Sequence, residues 1–333
     1  SFYPKANMGM KKIIVLIPVK DEAWVIDTFL RVTSQFADNI LVADQQSADD
    51  TVSIVSNYPK AILLTNPDGK YNNATRQQFL LNEARRLFGG GQVLLALDAD
   101  EVVAAHSLKQ DYWQQLRQLQ SGTVIYLQKA DLLPKAEQML DTPGNYFPLG
   151  WVDDGITPHA GKPMHSVRLP YHADMSVYKA ADIMVLHLQR MRPATQEAKR
   201  RFYQVKECDF GMNKWYWRRK RYSKADFHAL KQPARPVPQE WLAYAEALQV
   251  NIAGLKEAPN TWFDEEVLNC LVQNGSRRYW LDDIWGKDWK AYAAQWQQDM
   301  AAFKAPPNLL KWSLRIFDKA FALAYNAKQR FKD

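Results

Sequence analysis

The first hundred residues alternate short apolar runs with amphipathic stretches, and that alternation is the strongest constraint on what the chain can fold into. Ile13-Ile14-Val15-Leu16-Ile17 is uninterrupted and ends at Pro18, as a strand buried on both faces does. Residues 22–36 then carry apolar side chains at Trp24, Val25, Phe29, Leu30 and Val32, a helical period, and 39–43 returns to a strand-like run. The series continues with a helix capped at Ser47 or Asp49 and running through Asn57, a strand at 61–65, a helix over 73–88 stopped by Gly89-Gly90-Gly91, and a strand at 93–97. Repeated βα units predict an α/β fold: a Rossmann-like, mostly parallel sheet flanked by helices.

Ligands of such sheets bind outside the carboxyl ends of the strands. Three polar clusters fall at those ends: Lys20-Asp21-Glu22, Asp44-Gln45-Gln46 and Asp98-Ala99-Asp100. Two carboxylates one residue apart after a buried strand can face one divalent cation, and hard oxygen ligands suit Mg²⁺ or Mn²⁺. Such an ion would neutralise a diphosphate and stabilise it as a leaving group.

Composition narrows the class. Hydrophobic residues make up 47% and charged residues 24%, ordinary globular usage that excludes a disordered or collagen-like chain. Cys208 and Cys270, far apart and without neighbouring histidines, imply neither a disulfide scaffold nor a zinc site. Cytoplasmic residence is the simplest expectation, because no apolar run reaches the roughly 18 to 20 residues that span a bilayer. Residues 1–9 lack a signal-peptide pattern and read as foreign to the natural chain, with Met10 as its start. A net charge of +7 suits a polyanionic partner such as membrane headgroups or a phosphorylated substrate; no nucleic acid is expected.

Past a strand at 123–127 the pattern breaks into a polar stretch, 133–163, whose length predicts a substrate loop or mobile lid. Strands are expected at 166–169 and 183–187, and from Thr195 onward the chain reads as helical. The basic aromatic stretch 215–222 reads either as an amphipathic helix with snorkelling bases or as a polyanion site. The last segment, 308–333, sets Leu310, Leu314, Phe317, Phe321 and Ala324 on one helical face, with Lys311, Arg315, Lys319 and Lys328 elsewhere. It reads either as a helix docked on the core or as one lying on the inner membrane face, because Trp312, Ile316 and Leu323 widen its apolar surface.

With order and spacing considered together, residues 17–101 resemble the family-2 glycosyltransferases of the GT-A fold. Ile17-Pro18-Val19-Lys20-Asp21-Glu22 is similar to the family's opening motif, Asp44-Gln45-Gln46-Ser47-Ala48-Asp49-Asp50-Thr51 to its second, and Asp98-Ala99-Asp100-Glu101 to its metal motif. Asn72-Asn73-Ala74-Thr75-Arg76-Gln77 resembles the segment whose arginine reaches the donor. The resemblance implies donor binding by Pro18, Val19, Asp21, Glu22, Asp44, Gln45, Arg76, Asp98 and Ala99, and metal binding by Asp98 and Asp100. Gln45 and Gln46 replace the family's Asp and Gly, Gln77 replaces its Asn, and Lys20 stands where an aromatic residue is common. Val185-Leu186-His187-Leu188 resembles a late segment whose histidine completes the metal site; a histidine satisfied at a strand end is the plainer reading.

An inverting transfer also needs a base near the acceptor hydroxyl. Asp153 and Asp154 are the leading residues, with Trp151 stacking on the acceptor sugar; a solvated turn closed by Gly155 is the bland alternative. Asp174, Glu137, His159, His165 and His172 compete. The implied activity is transfer from a UDP-, GDP- or dTDP-sugar to a glycan or lipid-linked acceptor in cell envelope glycan assembly, by a domain over 10–190 (donor half 10–105, acceptor half 106–190) followed by a helical region over 191–333. A fold-retaining but inactive membrane- or glycan-binding module, and a metal-dependent nucleotidyltransferase, are the alternatives. The second would carry a Gly-rich loop after strand one, and 17–22 holds no glycine.

Overall fold

A computed structural model describes residues 10–66, 71–140, 144–172, 174–223, 233–257, 262–299 and 301–330. Residues 1–9, expected to be foreign to the natural chain, lie outside them, as does the side chain of Lys328. The chain divides into two compact units, one formed by residues 1–192 and 232–258, the other by 193–231 and 259–333. The segment after residue 232 thus returns to the first unit, which a boundary near 190 does not anticipate.

The first unit is a mixed, mostly parallel sheet flanked by helices, the fold class expected. Its opening series is β1 Ile13–Val19, α1 Ile26–Thr33, β2 Asn39–Asp44, α2 Thr51–Val55, β3 Ala61–Thr65, α3 Asn73–Phe88 and β4 Val93–Ala96. β3, β2, β1 and β4 lie side by side and parallel, with Val19 level with Asp44 and Asp44 level with Thr65. β1 is buried along its whole length because each face of the sheet is covered. Ile13, Val15 and Ile17 pack with Ile26, Phe29 and Leu30 of α1, whereas Ile14 and Leu16 pack with Leu80, Leu81 and Ala84 of α3. This period-two division between two cores is why α1 and α3 lie on opposite faces.

Beyond β4 the sheet becomes mixed, combining antiparallel and parallel pairings. β5 Glu101–Val103, α4 Gln110–Arg117, β6 Val124–Leu132, β7 Gln138–Leu140, β8 Tyr146–Val152 and β9 Val177–His187 follow. The stretch expected as a loop or lid therefore supplies two strands, with β8 inserted antiparallel between β4 and β6. Pro148 and Gly150 disguised it. The register slips beside Pro148, where a bulge dispenses with the missing N–H, and a Cβ on Gly150 would stand 2.6 Å from Leu95 Cδ2. Residues 166–169, expected as a strand, are irregular, and β9 begins six residues before the expected start at 183.

The second unit is helical, as expected from Thr195 onward: α5 Pro193–Asp209, α6 Trp215–Arg221, then helices Trp262–Gln273, Trp289–Gln295 and Asn308–Arg330. Arginine–carboxylate forks tie it together, Arg201 to Asp264, Arg218 to Asp282 and Arg219 to Asp318. The bases of α6 are thus partly spent on internal pairing. Among the described residues no helix is long and apolar enough to cross a membrane.

Candidate functional site

The carboxyl ends of β1, β2 and β4 bring Asp21-Glu22, Asp44 and Asp98-Asp100 to one sheet edge, β2 and β4 being two strand spacings, about 10 Å, apart. The exits of β1 and β2 are stitched to each other. Asp21 N–H donates to Ser47 Oγ at 2.9 Å, Ala48 N–H returns a bond to Asp21 Oδ1 at 2.6 Å, and Glu22 N–H donates to Thr51 Oγ1 at 2.8 Å. Asp44 folds its carboxylate back on its own loop, accepting from Gln46 N–H at 3.1 Å and Ser47 N–H at 3.3 Å. Both exits use left-handed backbone, Asp21 at φ 54° and Gln46 at φ 62°. Non-glycine residues so held cost stability and gather at binding sites. Glu22 accepts from Trp24 Nε1 at 2.7 Å and lies 3.7 Å from Arg192, whose guanidinium covers the Trp24 ring at 4.3 Å.

At β4 the three carboxylates of 98–101 separate into different environments. Glu101 is fully buried, held by Arg168 and by Lys129 at 3.1 Å. Burial alone would push its carboxyl up; the charges of Arg168 and Lys129 overcome this and hold it well below its ordinary value. Arg168 also reaches Asp98 Oδ2 at 2.6 Å and the Ala96 carbonyl at 3.1 Å, so it clamps the turn from the opposite side. Sequence reading missed Arg168 and Lys129, since a lone arginine some 70 residues downstream carries no local signal.

His187 ends β9 between two strands: it is level with Glu101 of antiparallel β5 and with Asp131 of parallel β6. Its Nδ1 lies 2.6 Å from Asp131 Oδ1. A carboxylate only accepts, so Nδ1 carries the hydrogen of this bond, and Nε2 lies 3.9 Å from Asp100 Oδ2. Asp131 would be raised by burial, but the bond from His187 and the nearby Arg190 hold it low.

A ring nitrogen and a carboxylate oxygen 3.9 Å apart stand wider than the roughly 3.0 Å between adjacent ligands of an octahedral Mg²⁺-sized ion bound at about 2.1 Å, so the pair would have to close slightly to share one. Among the described residues no three His, Cys, Asp or Glu side chains are grouped to enclose an ion unaided. Asp100 and His187 would therefore share it with water and substrate oxygens, the habit of Mg²⁺. Asp98 reaches that shell only with the oxygen that Arg168 leaves.

Arg76 sits in the first turn of α3, bonded to Asn73 Oδ1 at 3.0 Å and stacked near Tyr71, with its Nε buried and unpartnered. Pro18, Val19, Gln45 and Ala99 are at the same strand ends; Val19, Gln45 and Ala99 are buried.

The expected acceptor residues are elsewhere. β8 runs antiparallel to β4, with Val152 level with Val93, so Asp153 and Asp154 lie at the amino end of the parallel strands, opposite the edge that carries Asp98. Asp153 is 1% exposed and gripped by Arg85, whose Nη2 is 2.8 Å from Oδ1, and it accepts from Gly155 N–H. Asp154 closes a turn onto Thr157. Trp151 is wholly buried against the α3 core and cannot stack on a sugar. The structure gives these three residues packing and ion-pair surroundings away from that edge, and Asp153 is a buried ion-pair partner of Arg85, not part of a solvated turn. His159 is bonded to the Val167 carbonyl at 2.7 Å.

Sequence comparison finds no matching family and no matching curated protein. Three solved structures align in part: a mycobacterial protein (16% identity, 36% of this chain and 42% of that one, TM-score 0.27), mannosyl-3-phosphoglycerate synthase from Rubrobacter xylanophilus (17%, 38% and 42%, 0.28), and 4-diphosphocytidyl-2C-methyl-D-erythritol synthase (17%, 43% and 75%, 0.28). The chain spans less than half the length of the first two. Similarity of that order assigns no function.

Proposed function

We propose that the first unit is a metal-assisted, inverting glycosyltransferase that moves a sugar from a nucleotide-sugar to a glycan or lipid-linked acceptor. The observation that supports it is the pairing of Asp100 with His187 Nε2 across 3.9 Å, on the sheet edge that also carries Asp21 and Asp44. Asp44, on a loop ordered by its own backbone bonds, would accept from the ribose or base, with Asp21 and Glu22 shaping the base side. Arg76, its Nε unpaired, would bond the donor's phosphate or ribose oxygens. Asp98 and Asp100, with His187 oriented by Asp131, would hold Mg²⁺ or Mn²⁺. The ion, when bound, supplies charge neutralisation to the departing diphosphate. Arg168 keeps the remaining carboxylate charge of the turn balanced, so one divalent cation suffices.

Isothermal titration of UDP, GDP and dTDP with and without Mn²⁺ tests this. We expect one nucleotide to bind tightly only with metal, and Asp100→Ala to lose that dependence and transfer together. Metal-independent binding of all three, or full turnover by Asp100→Ala, overturns the reading.

A further inference from the structure

The terminal helix Asn308–Arg330 has two apolar faces, and its own unit covers only one. On the covered face Leu314 is 7% exposed, Phe317 lies 4.8 Å from the Trp215 ring, and Phe321 and Tyr325 meet Trp217 edge-on at 5.4 and 6.1 Å. Asp318, the helix's single carboxylate, is forked by Arg219 at 2.8 and 2.6 Å. The rotation of the helix about its axis is thereby fixed. At about 100° per residue, Leu309, Trp312, Ile316 and Leu323 fall within an arc of roughly 60°, turned away from that face. They are 74%, 61%, 48% and 74% exposed. Single exposed apolar side chains are ordinary; four in a row spaced i, i+3, i+7 and i+14 are not.

Charge identifies what would cover this stripe. The helix carries five basic residues against Asp318, which Arg219 neutralises. Arg315 and Lys319 are exposed and border the stripe along one side. A second copy of the chain seated here would bring those cations against their own counterparts, whereas an anionic lipid surface would accept both the cations and the apolar row. Trp312, in the middle of the row, has the apolar body and N–H tip that favour the headgroup boundary. We propose that this helix docks the protein on anionic membranes, lying in the interface with Leu309, Trp312, Ile316 and Leu323 inserted and Arg315 and Lys319 among the headgroups.

The proposal is independent of the transferase reading and is tested by flotation of the full chain with vesicles of phosphatidylcholine alone and with phosphatidylglycerol added. Wild type is expected to float with the anionic vesicles. The triple variant Trp312→Ser, Ile316→Ser, Leu323→Ser should float with neither. Arg315→Glu with Lys319→Glu should lower recovery on anionic vesicles by at least about tenfold. Circular dichroism and sedimentation of each variant check that the helix and the wild-type sedimentation behaviour survive. Wild type that stays at the bottom of both gradients, a triple variant that floats like wild type, or a concentration-dependent dimer that the triple variant abolishes overturns the proposal.

Discussion

His187 Nε2 lies 3.9 Å from Asp100 Oδ2, a gap too long for a hydrogen bond. Asp100 stands in the turn just before β5 and His187 ends β9, 87 positions later, and the two meet because β9 runs back beside the three-residue strand β5.

The third member of this arrangement, Asp131, acts through His187. Its bond to Nδ1 fixes the tautomer and the ring orientation, so Asp131→Asn is expected to weaken Mn²⁺ affinity by about 10- to 100-fold. A merely structural role would change the melting temperature and leave the metal isotherm alone. Titration of Mn²⁺ into the folded variant, with the nucleotide present, separates the two, and an unchanged isotherm removes Asp131 from the site.

Glu101 gives the acid limb of stability a defined origin. Its folded carboxyl titrates well below the ordinary value of 4.5, and Asp131 lies below 3.8, so near pH 4 the unfolded chain binds more protons than the folded one. The stabilisation is complete above about pH 5 and is lost as pH falls through the depressed folded values. Replacing Arg168 by Gln leaves the buried Glu101 with Lys129 alone, at a cost of about 2 kcal/mol at neutral pH, and raises its folded carboxyl pKa, so the acid-induced loss that Glu101 contributes should shrink and shift. Thermal melts between pH 7 and pH 3 check both; an unshifted limb contradicts the assignment.

How much of this could be read from the chain differs between the two halves of the sheet. β1 to β4 were legible because parallel strands buried on both faces are continuous apolar runs, and the helix over 73–88 matches α3 because Asn72 caps it and Gly89 ends it at φ 71°. The polar clusters after β1, β2 and β4 followed, since each sits at the end of its own strand. The other half obeys pairings that no local pattern encodes: β8 is interrupted by Pro148 and Gly150, β9 bulges past 181–183, and β5 is three residues long. Arg168, Lys129 and Asp131 reach the site only through those pairings. The Asp153-Asp154 turn misled for the same reason, because nothing near it shows that β8 runs antiparallel.

Gln46 stands where the resembling motif carries glycine, and its φ of 62° is one that glycine adopts without strain. Gln46→Gly should raise stability by somewhat under 1 kcal/mol, the relief of left-handed strain exceeding the entropy that glycine loses on folding. If the side chain serves the donor, nucleotide affinity falls as stability rises. Melts and titrations on one preparation show both, and a lower melting temperature refutes the strain argument.

Asp153 distinguishes a catalytic carboxylate from a structural one. It is 1% exposed, forked by Arg85, capped by Gly155 N–H, and joined through its backbone to Gly91 and Gln92 at the amino end of β4. Removing it leaves the 17%-exposed Arg85 guanidinium with the Thr157 carbonyl at 2.8 Å and Asp154 at 3.5 Å, an incomplete replacement. Asp153→Ala should therefore cost about 3 kcal/mol in denaturant unfolding. Because the residue lies across the sheet from Asp98, metal and nucleotide affinities of the folded fraction should stay within about twofold of wild type, under 0.5 kcal/mol. A variant that keeps its stability and loses turnover would return Asp153 to the chemistry, and would require the site to extend to the opposite end of the strands.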